Sequence, residues 1–64
     1  MSNQVLKVTE EELKRMEKYY GNNMVASPPG SRFRVKTDSA VITAYNSGKV
    51  LFQGEDAVIE AAKW

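Results

Sequence analysis

The chain has no cysteine and no histidine among its 64 residues. Without cysteine there are no disulfides and no thiolate metal sites, and a cytoplasmic, reducing compartment is the expected setting. Without either residue, catalysis would fall to carboxylates, lysines, serines and tyrosines. No apolar run approaches the roughly 20 residues that span a bilayer, and residues 1–8 lack a signal peptide's apolar centre. No membrane partner is expected. Net charge is only +1, too little by itself to mark a nucleic-acid protein. A chain this short makes one small domain, burying roughly 60% of the surface its unfolded form exposes, with no room for a deep pocket. With 42% hydrophobic and 27% charged residues it still reads as globular, and a monomer is expected.

What charge there is has been sorted along the chain. Glu10, Glu11, Glu12 and Glu17 outnumber Lys14, Arg15 and Lys18 over residues 9–20. Residues 30–54 carry Arg32, Arg34, Lys36 and Lys49 against Asp38 alone, and residues 55–64 carry Glu55, Asp56 and Glu60 against Lys63. Positive charge falls on expected strands and negative charge on expected helices.

Val41 to Gly54 reads as a β-hairpin. Two β-rich runs flank Asn46-Ser47-Gly48, which suits a type I turn followed by a left-handed glycine. That loop sets Tyr45 against Lys49, Ala44 against Val50, Thr43 against Leu51, Ile42 against Phe52 and Val41 against Gln53. Alternation then gives one face of Ile42, Ala44, Val50 and Phe52. The other face carries Val41, Thr43, Tyr45, Lys49, Leu51 and Gln53, neither a core nor an ordinary solvated surface.

Upstream, Gln4 to Val8 reads as a strand with Leu6 and Val8 inward and Val5 and Lys7 outward. Thr9-Glu10-Glu11-Glu12 fits a capping box opening a helix, with Leu13, Met16 and Tyr20 as its buried stripe and Gly21 as its C-terminal cap. Gly21 to Ser31 is a loop stiffened by Pro28 and Pro29, in which Met24 to Ala26 is a candidate edge strand. Arg32 to Thr37 alternates, Phe33 and Val35 inward and Arg32, Arg34 and Lys36 outward. Glu55-Asp56 opens a second helix with Val58, Ala61 and Ala62 inward. It stops at Trp64 without a cap, as in a domain cut from something longer.

The expected fold is a two-layer α+β domain of order β-α-β-β-β-α, an antiparallel sheet with both helices on one face. The open face would display Lys7, Arg32, Arg34, Lys36, Tyr45 and Lys49, with Thr43, Leu51, Gln53, Val41 and Val5 between them. Cations alone on such a face would be explained by solubility and edge protection. Apolar and aromatic groups among them point instead to nucleic acid, which needs cations for phosphates and flat or apolar contacts for sugars and bases. A protein-interaction module using this face or a sheet edge is the alternative. Glu10, Glu11 and Glu12 are consecutive and splay around a helix, so neither a metal site nor a catalytic site is expected.

The hairpin Val-Ile-Thr-Ala-Tyr-Asn-Ser-Gly-Lys-Val-Leu-Phe-Gln-Gly resembles the signature of the N-terminal domain of bacterial ribonuclease HIII. Pro28-Pro29-Gly30, Phe33, Lys36, the opening Met-Ser-Asn and the closing Glu60-Ala61-Ala62-Lys63-Trp64 resemble it as well. The resemblance spans the chain and is strongest over residues 41–54. It implies a fold similar to half of the TATA-box-binding protein, although Phe33 and Phe52 fall on the core face here and offer no wedge for kinking a duplex. It implies a substrate-recognition module for RNA–DNA hybrid, with other duplexes as further candidates. Residues 1–64 would be a single substrate-binding domain, linked to an RNase H-type catalytic domain that follows residue 64. Mg²⁺ would belong to that domain's acidic residues, leaving no cofactor here. The family pattern supports Lys36, Tyr45 and Lys49 more than Arg32 and Arg34.

Overall fold

The structure, a computed structural model, describes residues 2–64; Met1 of the opening Met-Ser-Asn lies outside the described residues. Strand β1 (Ser2–Lys7) leads into helix α1 (Glu10–Tyr19) and a 3₁₀ turn, Gly21–Asn23. Four strands follow, β2 (Met24–Val25), β3 (Ser31–Lys36), β4 (Val41–Tyr45) and β5 (Lys49–Gly54), and then helix α2 (Ala57–Ala61). The sheet is antiparallel, in the order β1-β5-β4-β3-β2. The expected two-layer α+β arrangement is therefore present, with Met24–Val25 as a fifth strand.

The hairpin register is the one the turn predicts: Ala44 pairs with Val50, Thr43 with Leu51, Ile42 with Phe52 and Val41 with Gln53. Gly48 makes it possible. Its φ is +95°, its N–H donates to the Tyr45 carbonyl at 2.9 Å, and an added Cβ would come 3.0 Å from the Val8 carbonyl oxygen. Gly54 closes the other end of β5 at φ +107°, where a Cβ would lie 2.6 Å from the Ser39 carbonyl oxygen. The β3–β4 turn can press directly against it, and Asp56 N–H bonds Ser39 O at 3.0 Å.

Phe33, Val35, Ile42, Ala44, Val50 and Phe52 meet Leu13, Met16, Tyr20 and Ala57 in one core, with Leu6, Val8, Met24, Ala61 and Trp64 packed around it. Phe52 is its largest fully buried side chain. Helix α1 starts as its residues dictate. The Thr9 hydroxyl accepts from Glu12 N–H at 3.2 Å, the Glu12 carboxylate accepts from Thr9 N–H at 3.4 Å, and three glutamates fill the first turn. Its other end departs from expectation. Gly21 is not left-handed; the chain tightens into the 3₁₀ turn, whose Asn23 N–H satisfies the Tyr20 carbonyl at 2.8 Å.

Helix α2 also departs. It begins at Ala57 rather than Glu55, so its inward positions are Ala57 and Glu60, with Ala61 partly covered. Val58 is 50% exposed, and Ala62 is exposed as well. A buried acid replaces the expected valine because it has partners. Tyr20 Oη donates to Glu60 at 2.6 Å, Lys63 Nζ donates to it at 3.1 Å, and Trp64 Nε1 donates to Tyr20 Oη at 3.2 Å. The helix ends at Ala61, before the tryptophan rather than on it, and Trp64 returns to the Tyr19 and Tyr20 rings at 5.5 and 6.0 Å.

Candidate nucleic-acid interface

With both helices on one face, the strands place their remaining side chains on the other in three cross-strand rows. Lys36, Val41, Gln53 and Asn3 make one row. Val25, Arg34, Thr43, Leu51 and Val5 make the middle row. Ser31 pairs with Tyr45 and Lys7 pairs with Lys49, and the hairpin joins these two pairs as the third row. Rows two residues apart along a strand lie roughly 6.6 Å apart, so the two end rows are separated by about twice that, and Lys36 and Lys49 are offset by two strand spacings across the sheet as well. Between them runs a largely apolar band.

Of the expected interface residues, the sheet brings Lys7, Arg34, Lys36, Thr43, Tyr45, Lys49, Leu51 and Gln53 onto one surface. Lys7, Arg34, Lys36 and Lys49 are exposed, while Tyr45, Leu51 and Gln53 are half-buried. Thr43 is only 5% exposed, on the central strand between Arg34 and Leu51, so a ligand meets its neighbours before it meets the hydroxyl. The row at the Lys36 end borders an open depression of about 500 Å³ that also takes in Asp38, Ser39 and Glu55.

Arg32 does not join the surface. The β3–β4 register shifts between Ser31 and Phe33, inserting Arg32 as an extra residue and freeing it from strict alternation. Its guanidinium turns to α1 instead, with Nε 2.5 Å from Glu17 and Nη1 2.5 Å from Glu10. Those two bonds, Glu17 first and Glu10 next, hold its pKa above the ordinary arginine value. Among the described residues, the other ion pair joins Lys63 to Glu60, so Lys7, Arg34, Lys36 and Lys49 carry charges with no acidic partner. Val25 and Asn3 complete the surface but were not singled out from the sequence. Their placement depends on the pairing of β2 with β3 and of β1 with β5, and short runs do not announce their partners.

The second polar cluster lies elsewhere, among α1, α2 and the chain's last residues. Burial, and then its bond to Glu60, push the Tyr20 phenol up to about 12. Lys63, whose ammonium donates to Tyr19 and Glu60, is held above the usual lysine value. Every buried side-chain polar atom among the described residues has a partner. No group of acidic side chains among them gathers in a way that would hold a metal ion, and no helix among the described residues is long and apolar enough to cross a membrane.

The architecture defines a small α+β domain whose free surface is a cation-bearing strand face. A family profile described as a domain of unknown function (DUF3378) matches residues 3–64, and the chain belongs to that family. It is 53% identical over 64 residues to a ribonuclease HIII of Oceanobacillus iheyensis, and 45% identical over 65 residues to a ribonuclease HIII of Bacillus subtilis. In each case all of this chain matches 21% of the relative. The crystal structure of Bst-RNase HIII in complex with Mn²⁺ superposes with a TM-score of 0.90 at 45% identity, covering 98% of this chain and 21% of that one. RNase H3 of Aquifex aeolicus shares the fold, with a TM-score of 0.83 at 16% identity over 94% of this chain and 24% of that one. The resemblance to the N-terminal region of ribonuclease HIII therefore holds over the chain, which spans about one fifth of the relatives' length.

Proposed function

We propose that this domain binds RNA–DNA hybrid through its open sheet face, as the recognition part of a ribonuclease HIII. The observation that carries the reading is a strand face bearing unpaired Lys36 at one end and Lys7 and Lys49 at the other, with Arg34 in the largely apolar band between them. Such a face suits a backbone on either side and sugars between, and it offers no helix for reading base edges. Chemistry would be performed elsewhere in the longer protein, where divalent metal would also bind. This domain's part is positioning. The 64 residues by themselves are expected to leave hybrid uncleaved with Mg²⁺ or Mn²⁺.

The test is a titration of labelled hybrid, duplex DNA and duplex RNA across salt concentrations. Binding is expected on the order of 10⁻⁴ to 10⁻⁶ M, with a log–log salt slope of about −2 to −4 for three or four neutralised phosphates. Lys36→Ala makes the slope shallower by about one unit. Tyr45→Ala weakens binding with little change in slope, since it removes a ring rather than a charge. Lys14→Ala, on an exposed position of α1, is the control. Equal losses for Lys14→Ala and Lys36→Ala would mean that contact is diffuse. A second reading, protein recognition by the same face, draws on the exposed Val5 and Val25 at the two sheet edges. It calls for affinity that barely responds to salt.

A further inference from the structure

Lys7 and Lys49 are direct cross-strand partners. Val8 N–H donates to the Gly48 carbonyl at 2.9 Å, which makes the adjacent 8–48 pair the hydrogen-bonded one. In an antiparallel ladder the next pair is then non-hydrogen-bonded, with Cα atoms about 4.5 Å apart and side chains at their closest. Two ammonium groups thus start from the tightest juxtaposition a sheet provides, on the same face, and both are exposed. Like charges in that arrangement are destabilising. No acid among the described residues pairs with either of them. Asp38 and Glu55 lie at the opposite end of the face, beside Lys36.

We infer that Lys7 and Lys49 form one anion site, taking a single backbone phosphate between their ammonium groups. The inference rests on the proposed hybrid-binding role of the face and assigns one subsite within it. The phosphate supplies the negative charge that the fold withholds from this pair, so a repulsion carried by the free domain becomes an attraction in the complex. Tyr45 stands on the other side of Lys49 in the same row, where a sugar attached to that phosphate would meet its ring. Edge protection, the ordinary use of a lysine such as Lys7 on an outer strand, would need no second lysine opposite it.

The experiment compares Lys7→Gln, Lys49→Gln and the double variant by thermal melting at low ionic strength and by hybrid titration across salt. A single shared phosphate predicts that the double variant makes the salt slope shallower by about one unit, each single by less. It also predicts that each single variant of the free domain melts higher, by roughly 2–4 °C, and that the double variant gains no more than a single one. A loss of about two units in the double variant means two separate phosphates and overturns the shared site. An unchanged slope in the double variant, with Lys36→Ala still effective, also overturns it while leaving hybrid binding by the face intact. If no variant on the face, Lys36→Ala included, alters the titration, the hybrid reading itself fails.

Discussion

Arg32 and Arg34 stand two residues apart on one strand and differ in almost everything else. Arg32 sits at a bulge, turned to α1 and held by Glu10 and Glu17; Arg34 stays in register on the open face with no acid beside it. The same difference separates the packed seam between the layers from the open face. Where the helices pack on the sheet and on each other, charges and polar groups are matched, Arg32 with its two glutamates and Glu60 with Tyr20 and Lys63. Among the described residues, Lys14, Arg15 and Lys18 on the outside of α1 have no acidic partner. On the open face, Lys7, Arg34, Lys36 and Lys49 are left unmatched. Matched groups hold the layers together, and unmatched ones remain available to a ligand.

The contrast is sharpest along β5, where successive residues serve opposite faces. Phe52→Ala empties the largest buried side chain and should cost roughly 3–5 kcal/mol in denaturant unfolding. Leu51→Ala, one residue earlier and half-buried on the open face, should cost clearly less. Equal losses would mean that both faces are covered and that the open face is not free.

The next effect belongs to the matched side. Tyr20 has its pKa raised by burial, and its hydroxyl donates to Glu60. A phenol whose folded pKa lies above its unfolded value of roughly 10 contributes stability that is complete below that value. The contribution fades as pH rises through the folded value of about 12. Melting between pH 10 and 12 should therefore reveal a loss on the order of 2 kcal/mol that Tyr20→Phe abolishes. An equally steep alkaline loss in Tyr20→Phe would assign the effect to the lysines instead.

Much of this was legible from residue order, where local chemistry decides. Asn46-Ser47-Gly48 fixes a loop length and hence a register, and Thr9 with Glu12 fixes a helix start, since each device acts within a few residues. What escaped depends on distant partners. Nothing in Arg32-Phe33-Arg34 announces a bulge, because a clean alternation is equally satisfied by a regular strand. The burial of Glu60 depends on Tyr20, 40 residues earlier, while the five residues of α2 are too few for an apolar period to outweigh one good hydrogen bond. Thr43 was placed on the right face, yet its occlusion comes from Arg34 and Leu51 on neighbouring strands. The open face was thus readable as a pattern, and its membership was settled by packing.

The smallest expected effect tests the opening contrast directly. Arg34→Ala should make the hybrid salt slope shallower by about one unit, which is roughly a fourfold smaller change in affinity between 50 and 200 mM salt. It should leave melting nearly unchanged, because the side chain is exposed and has no partner to lose. Arg32→Ala should behave in the opposite way. Its slope stays that of the parent, while melting falls slightly at low salt and recovers its difference as salt screens the lost pairs with Glu10 and Glu17. Neutralising those two acids gives a stricter version: with Glu10→Gln and Glu17→Gln together, Arg32 is released from α1 and its charge becomes available near the end of β3. Hybrid affinity at low salt should then rise modestly. If Arg32→Ala in the parent already flattens the slope as much as Arg34→Ala does, the two arginines serve one surface and the bulge does not divide them.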